Sequence, residues 1–129
     1  MKRKLLTAFM LMAGVLMLWG QTFAHHGNSA FDTGKSETLK GSVTKFEFIN
    51  PHAQIYFDVK DETGKITHWA CETLAPGKLA RAGWVRDSLK PGDQVTVTLA
   101  PTKDGKPAGL LQKLVLANGK QMNTDETPY

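Results

Sequence analysis

Apolar and polar side chains alternate with a period of two along much of residues 38–116, which is the period of half-buried strands and not of helices. The clearest run is 53–59, where Ala53, Ile55, Phe57 and Val59 alternate with Gln54, Tyr56 and Asp58. One face of this segment is expected against a core and the other against solvent. Before it, residues 38–48 are rich in β-branched and aromatic side chains, yet Leu39 and Val43 lie in one phase and Phe46 and Phe48 in the other. A bulge near Lys45 reconciles the two phases, because one extra residue turns every later side chain to the opposite face. Asn50-Pro51-His52 ends that strand, since a residue before proline is driven out of the helical region and proline has no ladder donor.

Residues 61–65, with Gly64, predict a hairpin turn, and residues 66–72 return as a third strand. Pro76 then opens a short helix through Lys78, Leu79, Ala80 and Arg81, with Gly83 placed as its C-terminal cap. After a turn at Pro91-Gly92, Val95, Val97 and Leu99 alternate with Gln94, Thr96 and Thr98 as a fourth strand. Asp104-Gly105 closes a hairpin into a fifth strand near 110–116, and Asn118-Gly119 turns once more. The expected class is all-β with one short helix, in the order β-β-β-α-β-β. That order is the order of a five-stranded OB-like barrel, whose helix lies between its third and fourth strands, with a small β-sandwich as the alternative. The body is expected to span 38–122, preceded by an extended arm at 25–37 pinned by Phe31 and followed by a flexible tail at 123–129.

The first 24 residues follow a different pattern and change the charge argument. Basic Lys2, Arg3 and Lys4 precede an apolar stretch from Leu5 to Trp19, and Thr22 and Ala24 supply the small residues of a cleavage site. The stretch is shorter than the roughly 20 residues of a spanning helix, so a cleaved secretory signal is expected and a stable membrane anchor is not. The three basic residues account for three of the four formal positive charges of the chain, leaving the domain from His25 onward at about +1. The basic footprint of a nucleic-acid-binding protein is thereby lost. A periplasmic or secreted location is expected.

Export bears on the candidate chemistry. Cys71 is the single cysteine, so no internal disulfide can form, and between Ala70 and Glu72 it is expected to be a buried small apolar residue. All four histidines follow the signal, and cleavage after Ala24 makes His25 and His26 the first two residues. The new α-amine, with a pKa of roughly 8, and the His25 imidazole can close a chelate ring on a metal, with His26 adding a further nitrogen. His52, on a loop stiffened by Pro51, completes the candidate metal set of His25, His26 and His52. Nitrogen-rich sets suit copper best among the divalent first-row ions. A solvated, adventitious His-His end is the plain alternative.

The second candidate set is a binding face on the middle strands, made of Tyr56, His68, Trp69 and Glu72, for an extracytoplasmic protein partner or another ligand. Core packing is the competing role for the aromatic residues Trp69, Trp84, Tyr56 and Phe46, and helix capping the competing role for Glu72. No H-E-x-x-H, G-x-S-x-G or phosphate-cradling glycine loop is present, and no catalytic constellation is expected.

Ala24-His25-His26 with Phe31-Asp32, Gly41, Val43, Phe46, Asn50-Pro51-His52, Trp69, Glu72, and Gly83-Trp84 with Ser88-Leu89-Lys90-Pro91-Gly92-Asp93 form a set spread over nearly the whole exported chain. In this set the chain resembles an uncharacterised family of small exported bacterial proteins, a domain of unknown function. Members carry serine where this chain has Gly27 and an aromatic such as tryptophan where it has Phe48. The resemblance implies export, a compact β domain and no established activity. The intact mass of the exported protein is expected to match residues 25–129; a cut elsewhere removes the chelating amine from His25.

Overall fold

A computed structural model describes residues 29–124. The period-two segments form strands in the expected order: β1 (Glu37–Glu47), β2 (Gln54–Lys60), β3 (Ile66–Glu72), helix α1 (Pro76–Arg81), β4 (Gln94–Pro101), β5 (Ala108–Leu116) and a short β6 (Gln121–Met122). β1 pairs antiparallel with both β2 and β4, β2 with β3, and β4 with β5. A parallel pairing of Ala70–Glu72 with Ala108–Leu110 joins β3 to β5 and closes a five-stranded ring. The molecule is therefore an OB-like barrel and not a two-sheet sandwich. β6 lies outside the ring on β5, because the turn at Asn118-Gly119 sends the chain back long enough for Met122 to reach the core.

β1 is shared between the two halves of the barrel, with Glu37–Ser42 on β4 and Ser42–Glu47 on β2. Gly41 sits at this handover, where an added Cβ would stand 2.6 Å from the Asp58 carbonyl oxygen and 2.8 Å from the Phe57 ring. Just beyond, the register skips from Val43↔Phe57 to Lys45↔Tyr56, which makes Thr44 the extra residue of the expected bulge. Val43 is consequently buried and Phe46, in the opposite sequence phase, still packs against the same core.

Inside the ring, Ile55, Phe57, Cys71, Val97, Leu99 and Leu114 are fully buried. Burial pushes the Cys71 thiol up from its ordinary value, which keeps it protonated and inert at neutral pH. α1 contributes Leu79 to the core and ends in a Schellman motif: the Gly83 and Trp84 N–H groups donate to the Ala80 and Leu79 carbonyls, with Gly83 at φ 91°. The motif delivers Trp84 into the core, its ring 5.8 Å from that of Phe46 and its Nε1 donating to the Asn123 carbonyl at 2.6 Å. The arm is pinned as expected, with Phe31 buried in an isolated antiparallel bridge to Thr102 and the Asp32 N–H donating to the Pro101 carbonyl at 2.8 Å.

Gly109 is the tightest point of closure, paired with Cys71 on one side and Pro101 on the other. An added Cβ would fall 2.5 Å from Leu99 Cδ1 and 2.7 Å from the Ala100 carbonyl oxygen. Gly109→Val is expected to cost roughly 1–3 kcal/mol or more in denaturant unfolding. Gly77→Ala, on the open side of α1 with no heavy atom within 4 Å, is expected to raise stability by up to about 1 kcal/mol.

Candidate functional site

The closing pairing is short, and its end opens a site. Beyond Glu72↔Leu110 the chain of β3 turns away toward α1 while β5 runs on to Leu116. A cleft of about 490 Å³ lies at this seam, bordered by His52, Glu72, Thr73 and Leu74 together with Leu110, Leu111, Gln112 and Thr124. The loop between β1 and β2 is tied to the same place by two backbone bonds, Thr73 N–H to the Ala53 carbonyl and Ala53 N–H to the Leu74 carbonyl, each 3.0 Å. Those bonds hold His52 beside Glu72, with Nδ1 2.6 Å from Oε1.

A carboxylate accepts hydrogen bonds and cannot donate them, so a proton sits on His52 Nδ1, and in the neutral imidazole Nε2 keeps its lone pair. This is the carboxylate-oriented form in which protein histidines bind metals. The imidazole is 43% exposed and the Glu72 side chain 23%, so the pair is reachable from solvent while its orientation is fixed. Glu72 does not cap α1, as one reading of the sequence had it: the N-cap is Ala75 and no side chain bonds there.

The outer face of β2 and β3 carries a polar ladder, Gln54 opposite Glu72, Tyr56 opposite Ala70, Asp58 opposite His68 and Lys60 opposite Ile66. Tyr56 OH donates to Glu47 Oε2 at 3.2 Å, Glu47 also pairs with Lys45, and the Lys45 ammonium lies 5.8 Å from the Tyr56 ring centre. Desolvation, then the charge of Glu47, raises the Tyr56 pKa above its ordinary value. His68 Nδ1 meets Asp58 Oδ1 at 2.5 Å on an imidazole that is 83% exposed. His68 and Glu72 are four residues apart on one face, about 13 Å along the strand, so the two histidine-carboxylate pairs are separate sites.

Trp69 is a correction to the expected face of Tyr56, His68, Trp69 and Glu72. It lies in the alternate phase of β3, packs against the core and stacks on Phe57 with ring centres 6.4 Å apart. The outward position beside Tyr56 belongs to Ala70. Trp84 and Phe46 are likewise committed to packing. His25 and His26 lie outside the described residues. Among the described residues, no cluster of three or more His, Cys, Asp or Glu is placed to hold a metal, and no helix is long and apolar enough to cross a membrane.

Two residues of the cleft escaped the sequence reading. Thr73 is only 4% exposed, and its hydroxyl is buried without a hydrogen-bond partner among the described residues. A threonine falling in the inward phase after Cys71 was the available signal. Gln112 accepts from Ser36 Oγ at 2.6 Å and donates to the Lys35 carbonyl at 3.2 Å, which ties the arm to the strand that lines the cleft. Nothing in the local sequence marks that tie.

These features define a small OB-like barrel with a polar-rimmed cleft at its closing seam. Residues 13–112 match a family of unknown function, DUF6152, and the chain belongs to that family. No curated protein matches the chain. Among solved structures, it is similar to one titled as the crystal structure of a tRNA fluorescent labeling enzyme, with 20% identity and a TM-score of 0.43 over 64% of this chain and 18% of that one. It is also similar to the ZRD-deleted mutant of TiaS in complex with agmatine, with 21% identity and a TM-score of 0.43 over 74% of this chain and 25% of that one. The chain thus spans a quarter or less of either solved protein.

The His52–Glu72 geometry has a direct spectroscopic signature. In nitrogen-proton correlation spectra at pH above the imidazole pKa, His52 is expected as the Nδ1–H tautomer, and Glu72→Ala is expected to return it to the Nε2–H form that dominates free imidazole side chains. An Nε2–H signal in the unaltered protein would contradict the bond.

Proposed function

We propose that this is a small exported, non-catalytic protein of the periplasm or extracellular space that binds a transition metal, with copper the preferred ion. The metal would be held by His25 through its amine and imidazole, by His26, and by His52. The observation that supports this reading is the His52–Glu72 pair, which leaves a fixed imidazole nitrogen with its lone pair available.

The described part of the arm is joined to the seam through β4 and β5. Phe31 is bridged to Thr102, Thr102 N–H donates to the Ala108 carbonyl, and Ala108 pairs with Ala70, two residues from Glu72. Three strand spacings and a two-residue rise separate Phe31 from Glu72 by about 16 Å. Ahead of Phe31, Ser29 and Ala30 stand in a turn, with the Lys103 N–H donating to the Ala30 carbonyl at 2.9 Å, and His25 and His26 lie outside the described residues.

A second reading, a module for an extracytoplasmic protein partner, draws on the outward row of Tyr56, His68 and the half-exposed Ile66 on β2 and β3. It needs no metal and no N-terminal histidine, so a partner retained after replacement of His25 and His26 by alanine would favour it.

Copper titration of the exported protein tests the metal reading. Adding one residue ahead of His25, or making His52→Ala, is expected to weaken binding by at least about tenfold, and Glu72→Gln by about 10–100-fold through loss of the orienting carboxylate. Equal affinity across the set overturns the proposal.

A further inference from the structure

A second concave surface lies on the outer face of the barrel, where the ladder pairs line up as one row across five strands. Ile66 stands opposite Lys60, Lys40 opposite Thr96, and Thr96 opposite Val115. Lys60 and Lys40 fall in the same row because each lies two residues beyond Ser42↔Asp58, the outermost pair between β1 and β2. Paired residues share a face of the sheet, as do residues two apart on one strand, so all five side chains emerge on the outside. With Ser42 and Asp58 they border a groove of about 580 Å³ that has no lining residue in common with the seam cleft.

The row sets two like charges against each other. β1 leaves β2 at Gly41 and pairs onward with β4, so Lys40 and Lys60 face one another across parting strands. Opposed like charges are unfavourable, and neither lysine has a carboxylate partner among the described residues. Lys35, Lys45 and Lys106, by contrast, are paired with Asp32, Glu47 and Asp104. Asp58 is the one carboxylate on the groove among the described residues. Its Oδ1 is engaged by His68 on β3, on the side of β2 turned away from β1 and Lys40. The Thr96 hydroxyl beside Lys40 also has no partner among the described residues, whereas Thr38 and Thr98, the next pair on that face, bond one another at 3.0 Å.

An anion is the complementary ligand, and the layout of the row sets its form. The lysines rise from separate, diverging strands, so two anionic groups joined by a short carbon chain match them better than one compact ion. Val115 and the half-exposed Ile66 close the ends of the row with apolar surface. We propose that the groove binds a small aliphatic dicarboxylate, with one carboxylate held by Lys40 and the Thr96 hydroxyl and the other by Lys60. The volume of about 580 Å³ lies within the range of small-molecule pockets. No residue of the metal set borders this groove, and the outward row of Tyr56, His68 and Ile66 shares only Ile66 with it, so the site goes beyond both readings.

The experiment follows the backbone amide signals of the metal-free exported protein during titration with glutarate, butyrate or inorganic phosphate at constant ionic strength. Glutarate is expected to shift the amides of Lys40, Gly41 and Thr96, with butyrate and phosphate at least about tenfold weaker. Lys40→Gln and Lys60→Gln are each expected to weaken glutarate about tenfold. Both lysines are exposed and opposed, so both variants are expected to fold with unchanged or higher thermal stability. Lys113→Gln removes the same charge from an exposed position on β5 outside the groove, and is expected to leave glutarate affinity unchanged. Phosphate or butyrate binding as tightly as glutarate overturns the dicarboxylate. An equal loss in Lys113→Gln shows attraction by net charge only and overturns the site, as does the absence of amide shifts at tens of millimolar glutarate.

Discussion

Three residue pairs, Ala70↔Ala108, Cys71↔Gly109 and Glu72↔Leu110, turn an open antiparallel sheet into a closed barrel. Parallel pairing between strands distant in sequence forms only where both backbones can approach, and at Gly109 they do so with no room for a Cβ. The closure removes most of the exposed edge of the sheet and gives Cys71, Leu99 and Leu114 a common interior. Gly41 has the complementary role on the other side, where one strand must serve two partners.

The shortness of the closing pairing also creates the site. Strands that part after three pairs leave a gap in the barrel wall, and the gap is filled only partly by the β1–β2 loop and the segment leading into α1. Backbone bonds between Ala53 and Thr73-Leu74 hold those pieces, so His52 and Glu72 meet with defined geometry although they belong to different parts of the chain. Polar groups concentrate where the ladder ends because no strand pairing remains to bury them, and Thr73 carries the one buried side-chain polar atom that has no hydrogen-bond partner among the described residues.

Much of this was legible in the one-dimensional pattern. The limits of β3 and α1, the bulge in β1, the break at Asn50-Pro51-His52 and the pinning role of Phe31 all follow from local periodicity, proline and glycine chemistry, and a lone large side chain in a polar arm. Trp69 shows where such reading fails. Its neighbours His68 and Ala70 face outward, and grouping Trp69 with Tyr56 and His68 as one surface ignored the strand period that had been applied correctly to residues 53–59. The short β6 was missed because two residues cannot show a period.

By itself the sequence determined the elements and their order, because strand period, turn residues and helix ends are set by neighbours a few positions away. It also placed His52 and Glu72 among the residues of interest by type. Only the tertiary structure decided that these two are partners 2.6 Å apart, that His68 belongs with Asp58 instead, and that Thr73 and Gln112 border the same cleft. Each of those facts depends on the register between strands that are remote in the chain. Register of that kind is selected by the packing of the whole barrel and by the two glycines that let its walls meet, and no local pattern encodes it.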